Sequence, residues 1–383
     1  MRIFATAALV DGAIGPALLE LADGRIATVR TDGEALAGAA TADVRLDGGF
    51  LVPGLIDVQI NGAFGFDFTE CSTDEARDVL QQMPLTGTTA ICPTVITAPH
   101  ERLLQQLQRL RPLAEDEGGA LRARSLGVHL EGPYISPSRR GAHDPHSVRP
   151  IAMDELTQLL HTGALRILTL APELPDAVAA IRRLREAGLL VSLGHSNATA
   201  EEAHAAAAAG ASMVTHVFNA QTTMRQREPG ISLGALVDPR LTIGIIADGR
   251  HVHYDLLRLV LAAVGVERTC VVSDATAALG CDAGSHLLLG GEPVVVHADG
   301  LIRREDGTIA GATRTQLESI EAAAAQGIDR VALLRAATEV PADLVGRDDL
   351  GRIAPGARAD LVHYDTDPAV QVRTVWIDGR EWA

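Results

Sequence analysis

Eight short, apolar, β-rich runs follow one another from Leu55 onward, and segments of helical spacing lie between them. They are LIDVQI (55 to 60), TAICPTVI (89 to 96), SLGVHLEG (125 to 132), RILTLAPE (166 to 173), LVSLGHS (190 to 196), MVTHVFN (213 to 219), TIGIIADG (242 to 249) and TCVVSDA (269 to 275). The intervening segments include DEARDVLQQM, HERLLQQLQRLRPLAE, LPDAVAAIRRLREAG, ATAEEAHAAAAAG and YDLLRLVLAAVG, several of them closed by Gly. Such alternation predicts βα units on a parallel sheet, and eight units predict an α/β fold of the (β/α)8, TIM-like barrel type. An open doubly wound sheet is the alternative, but no GxGxxG turn follows the first run. In a barrel the chemistry sits at the C-terminal ends of the strands.

The flanks read differently. Residues 1–52 carry short strand-like runs with DG and DGG turn signals, and ARADLVHYD and TVWIDGREW near the C-terminus repeat that character. The two ends, 1–52 and 350–383, are expected to pair into one small β-sandwich domain beside a barrel catalytic domain of residues 53–349. Ala203 to Ala209 reads as a helix, with Asn197 or Thr199 before EEA as its cap.

The 383 residues carry a formal net charge of −16, from 33 basic and 49 acidic side chains. No basic stripe is available to neutralise phosphates, which argues against nucleic acid and anionic membrane as partners. An anionic substrate would need a local cationic pocket. Cys71, Cys92, Cys270 and Cys281 lack CxxC spacing, which fits inert thiols in a reducing compartment. The apolar run in MRIFATAALVDG is too short for a secretory segment or a membrane span, so a cytoplasmic location is expected.

Three strand ends carry metal-ligand side chains: Glu131 in HLEGP, His195 in LGHSN and His216 in THVFN. Converging on one barrel mouth, a carboxylate and two imidazoles suit one divalent cation with a position left open for water. A fourth strand end, VVSDAT, offers Asp274 as a proton acceptor and later donor. The first strand, LIDVQING, places Asp57, Gln59 and Asn61 on one face by period-two alternation. A lone strand histidine is more often a packed, hydrogen-bonded residue, and His129 is read that way; His161, His204, His286 and His363 are read as solvated or structural.

PGLIDVQING, HLEGPYISPSRRGAHDP, TLAPE, LGHSNAT, THVFNAQTTMRQREPG, IADGRHVH and SDAT stand in that order over most of the chain. Together they closely resemble the N-acetylglucosamine-6-phosphate deacetylases of the amidohydrolase superfamily. The resemblance implies a metal-dependent barrel with a small β domain, a homodimer, and hydrolysis of an N-acetyl amino-sugar phosphate to acetate and the free amine. Carried across residue by residue, it implies Glu131, His195 and His216 as ligands of one divalent metal ion per chain. Zinc stands first among the ions suited to these donors, beside iron, manganese and cobalt. Asp274 is then the catalytic aspartate, and His143 in GAH polarises the acetamide carbonyl; taken alone, His143 reads as a polar loop residue. For the substrate the resemblance points to Asn219, Ala220 and His251, and to Arg227 reaching in from the dimer partner. A solvated reading of Arg225 and Arg227 stays open, and Arg250 and His253 are read as structural.

Two departures bear on specificity. The superfamily's first strand commonly ends in HxH, which helps to hold a second metal, whereas this chain has Gln59 and Asn61. Amides are weak ligands for transition metals, so a single metal is expected, with Gln59 at the mouth bonding the hydrolytic water or substrate and Asn61 in strand-end hydrogen bonding. Where the family reads AGSxLTM, the chain has AGATRTQLES, with Ala312, Arg314 and Gln316 at the differing positions. In the family that loop adjoins the acyl and sugar end of the pocket. A different N-acetyl amino sugar, such as N-acetylgalactosamine 6-phosphate, or another N-acyl compound is therefore an alternative substrate, and a non-catalytic sugar-phosphate-binding barrel is a further alternative.

Overall fold

All eight β-rich runs form strands in the computed structural model, which describes residues 1–115 and 121–382. In chain order the barrel strands are Leu55–Ile60, Thr88–Ile96, Val128–Glu131, Leu165–Leu170, Leu190–Leu193, Met213–Val214, Thr242–Ile246 and Thr269–Val272. Each pairs in parallel with the next, from the first strand to the eighth. Most stop short of the polar residues that end each run, so those residues form the turns at the mouth. Capping boxes start the helices Thr73–Gln82 (Ser72 with Glu75) and Ala200–Ala209 (Thr199 with Glu202), so Thr199 rather than Asn197 caps the Ala-rich helix. A buried cluster joins Ile56, Ala90, Ile167, Met213, Ile246 and Cys270, from six of the eight strands, to Val340, Val345 and Leu350 of the C-terminal segment.

The first and eighth strands meet at a seam stitched by single bonds rather than by a ladder, among the described residues. Asp274 N donates to Gln59 O at 3.0 Å and Asn61 N to Ala275 O at 2.6 Å. Side chains complete the join. Asp57 Oδ1 accepts from Ser273 N at 3.3 Å and from Gln59 N at 3.2 Å, and Gln316 Nε2 donates to Ile56 O (3.2 Å) and Val271 O (2.9 Å).

Strands from both ends of the chain share one eight-stranded sheet, because Phe50–Pro53 pairs antiparallel with Leu361–Asp365. Trp376, Leu361, Leu51, Ile3, Leu19 and Ile26 come from six strands that neighbour one another in turn, and all share one core although Trp376 and Ile26 lie at opposite ends of that run, so the sheet folds over itself in sandwich fashion. Arg124 ties it to the barrel through Asp360 (3.1 Å) and Asp378 (2.6 Å).

A further antiparallel sheet, His286–Leu289, Glu292–Val296, Leu301–Arg303 and Ile309–Ala312, lies between the eighth barrel strand and the helix Gln316–Ala325. It is not among the elements expected from the sequence, although GG at 290–291 and DG at 299–300 and 306–307 are hairpin signals. Asp67 Oδ2 pins it to the barrel by accepting from Gly290 N at 2.6 Å. Among the described residues no helix is long and apolar enough to cross a membrane.

Candidate metal and catalytic site

Glu131 is the last residue of the third strand, whereas His195, His216 and Asp274 each stand two residues beyond the fifth, sixth and eighth. The latter three have left-handed backbones, with φ of 47°, 25° and 49°. Such conformations cost non-glycine residues about 1–3 kcal/mol each and cluster where a site imposes them. Here they make the sharp turn that presents each side chain at the mouth. Glu131, His195 and His216 are buried, and Asp274 is half-buried.

The donor chemistry of the trio calls for a cation. Arg139 O accepts from His195 Nδ1 at 2.9 Å, which leaves a lone pair on His195 Nε2. That lone pair lies 3.2 Å from Glu131 Oε1 and 3.1 Å from His216 Nε2, and His216 Nε2 is 2.9 Å from the same carboxylate oxygen. Among the described residues this is the one group of three or more metal-ligand side chains whose ligand atoms all lie within 4.8 Å of one another. One carboxylate and two imidazoles facing an open cavity fit a divalent ion with a coordination position to spare. Burial pushes the Glu131 carboxyl up, but the adjoining imidazoles of His195 and His216 outweigh it and hold the group well below the usual carboxylate range.

Asp274 faces this trio from the seam. Its Oδ1 accepts from Asn61 Nδ2 at 2.8 Å and lies 3.4 Å from Gln59 Nε2. Among the described residues both side-chain bonds fall on Oδ1, so Oδ2 is left to the cavity. Burial raises the carboxyl above its ordinary range; His216 opposes this and Glu131 adds to it. Gln59 is seated deeper than expected from the sequence. It is fully buried, with Nε2 on Glu131 Oε1 (2.9 Å) and its oxygen accepting from Thr215, so both ends of the amide are held by protein. Asn61, not Gln59, lines the cavity.

His143 enters from the loop after the third strand, and its Nδ1 meets Thr97 Oγ1 at 2.7 Å and accepts from Thr97 N at 3.4 Å. The ring proton therefore sits on Nε2, which faces the site 3.9 Å from Glu131 Oε2. Burial, reinforced by His195, pushes His143 down to about 3, so it is a neutral hydrogen-bond donor. Thr97 was not foreseen; its only sequence signal is a polar residue just past the second strand. His129, by contrast, is packed, with Nδ1 to Val58 O at 2.9 Å and Nε2 to Thr169 Oγ1 at 2.7 Å.

These groups open onto a cavity of about 370 Å³, whose walls include Asn219, Ala220 and His251 and, from the unforeseen sheet, Leu289 and Ile309. Ala220 is left-handed (φ 50°), and Asn219 Nδ2 is turned back to His216 O at 3.2 Å. His251 gives Nδ1 to Asp248 Oδ2 at 2.7 Å, and its buried Nε2 has no protein partner among the described residues. Arg227 is exposed and stands outside the cavity of its own chain. Of the departing loop, Ala310 and Gly311 line the cavity, whereas Ala312, Arg314 and Gln316 do not. Gln316 stitches the seam, and Arg314 lines a separate cleft with Glu318 and Arg330.

The amidohydrolase family model matches residues 50–381. An N-acetylgalactosamine-6-phosphate deacetylase from Escherichia coli O157:H7 is 34% identical over 94% of this chain and 93% of its own. The human N-acetylglucosamine-6-phosphate deacetylase is 38% identical over 88% of this chain and 85% of its own. Among solved structures, a mutant N-acetyl-D-glucosamine-6-phosphate deacetylase from Mycobacterium smegmatis, in complex with N-acetyl-D-glucosamine-6-phosphate, superposes with a TM-score of 0.92. It is 33% identical, and the match covers 100% of this chain and 99% of that one.

Proposed function

The chain belongs to the amidohydrolase family, and from that premise we propose that it removes the acetyl group from N-acetylglucosamine 6-phosphate, giving glucosamine 6-phosphate and acetate. The observation that carries this reading is the convergence of Glu131, His195 and His216 with Asp274 and His143 on one cavity. Residues 53–349 are the catalytic domain in this reading.

Glu131, His195 and His216 would hold a divalent cation, and that ion would supply Lewis acidity toward water and the acyl carbonyl. Asp274 takes the proton of the attacking water at Oδ2 and returns it to the departing amine. Its raised proton affinity suits both steps. His143 donates from Nε2 to the oxyanion of the tetrahedral species, and as a neutral ring it stays a donor across the working pH range. Gln59 acts from below, holding Glu131 and Asp274 in register.

Asn219, Ala220 and His251 hold the sugar phosphate, and Arg227 enters the site of a partner subunit in a homodimer. The exposure of Arg227 outside its own cavity supports that assignment. Zinc is the proposed ion, with iron, manganese or cobalt able to take the same donors. A cytoplasmic location accords with four free cysteines, three of them buried.

A second reading, the galactosamine epimer as substrate, is favoured by the relative from Escherichia coli O157:H7. Acetate release from both epimers, each with and without the 6-phosphate, separates them. The expected order puts N-acetylglucosamine 6-phosphate first in kcat/KM; a higher value for the galactosamine epimer transfers the function to it, and no acetate from any of the four overturns both.

A further inference from the structure

Three side chains in the motifs SRR, TLAPE and HSN have no part in the chemistry above: Arg139, Glu173 and Asn197. They form one network. Glu173 accepts from Asn197 N at 2.6 Å through Oε1 and from Ser196 Oγ at 2.7 Å through Oε2. Asn197 Nδ2 donates to Ser136 Oγ at 2.9 Å and to Ser138 Oγ, and Asn197 Oδ1 accepts from Arg139 Nε at 2.6 Å.

The effect is to aim a guanidinium without neutralising it. Arg139 is held through Nε by a neutral amide, and among the described residues it forms no ion pair, so both Nη groups keep their donors. It lines the same cavity as Glu131, Asp274 and His251, and it is the one guanidinium among the lining residues. Arg140 beside it turns away, donating to His143 O at 3.0 Å. The turn from Arg139 to Gly141 lies against His195 and Ala220. Gly141 has φ +57°, and a Cβ there would stand 3.3 Å from His195 Cε1 and 3.8 Å from Ala220 Cβ.

We propose that Arg139, from the same chain as the metal ligands, binds the phosphate of the substrate. The assignment rests on the sugar-phosphate reading above. Two free Nη groups match phosphate oxygens in pairs, and in a chain of net charge −16 they supply a fixed cation within the cavity without any partner subunit. Arg139 also holds His195, but through its backbone carbonyl, so a side-chain replacement leaves that contact in place.

The test uses the metal-loaded full chain with Arg139→Ala and Arg139→Lys. Acetate release is measured from N-acetylglucosamine with and without its 6-phosphate, and binding of inorganic phosphate by calorimetry. Arg139→Ala should raise KM for the phosphorylated sugar about tenfold or more, the loss expected for charge-assisted hydrogen bonds, with the unphosphorylated sugar little changed. Phosphate affinity should fall alongside, and Arg139→Lys should recover part of both. Equal losses on the two sugars, or unchanged phosphate affinity, would overturn the assignment. A wild type that binds phosphate through Arg139 yet releases no acetate would instead overturn the deacetylase reading and leave Arg139 as an anion site.

Discussion

Gln59 Nε2 donates to Glu131 Oε1 at 2.9 Å, so the end of the first barrel strand fixes the carboxylate of the candidate metal group. The same nitrogen lies 3.4 Å from Asp274 Oδ1. One buried amide thus sets the carboxylates of Glu131 and Asp274 relative to each other. Outer partners of this kind tune affinity without touching the ion. Gln59→Leu should weaken metal binding by about 10–100-fold in a chelator competition. Unchanged affinity would mean that Glu131 is held in place without it.

Asp274→Asn keeps an Oδ1 acceptor for Asn61 and removes the base. Metal content should stay at the wild-type level while acetate release falls by about 10²–10⁴-fold. A near-normal rate would take Asp274 out of the reaction.

His143 contributes a proton on Nε2 that nothing in its surroundings removes, because burial holds the ring neutral down to about pH 3. His143→Ala should lower kcat by about 10²–10³-fold, the loss typical of one oxyanion donor, with metal bound as before. The wild-type kcat profile should show no inflection from His143 between pH 5 and 8; one that disappears in the variant would contradict the neutral-donor role.

Asp57 links pH to stability. Burial is the main cause that lifts its carboxyl from 3.8 to about 7, against bonds from Ser273 and Gln59. Between those values the folded chain retains a proton that the unfolded chain gives up. Stability contributed by this group therefore falls as pH rises through the window and levels off above it. Asp57→Asn preserves an oxygen for Ser273 N and Gln59 N but carries no charge. Its Tm should gain on the wild type from pH 4 to 7, and parallel Tm curves would refute the linkage.

The barrel was legible because each strand is an apolar β-rich run bounded by a polar turn, and eight such runs are hard to arrange otherwise. The convergence of Glu131, His195, His216 and Asp274 on one cavity was legible for a related reason: all four stand at strand ends, which a barrel gathers at one mouth. Gln59 was placed on the right face but at the wrong depth, since only the positions of Glu131 and Thr215 decide where an amide finds its partners. The sheet from His286 to Ala312 escaped because it is an antiparallel insertion between the eighth barrel strand and the helix Gln316–Ala325, where the alternation of strand and helix that marks the barrel is interrupted. Gln316 belongs to a stretch that suggested altered specificity, yet it opens the helix Gln316–Ala325 and its amide bridges Ile56 and Val271 at the seam, a role that depends on two strands distant in sequence.

The proposed reaction depends on a single metal ion held by Glu131, His195 and His216. Zinc titrated into metal-stripped protein, with acetate release from N-acetylglucosamine 6-phosphate followed at each addition, tests it most directly. Activity should rise in proportion to bound zinc and saturate at one ion per chain. Full activity in the stripped protein, or activation that begins only with a second ion, would contradict it.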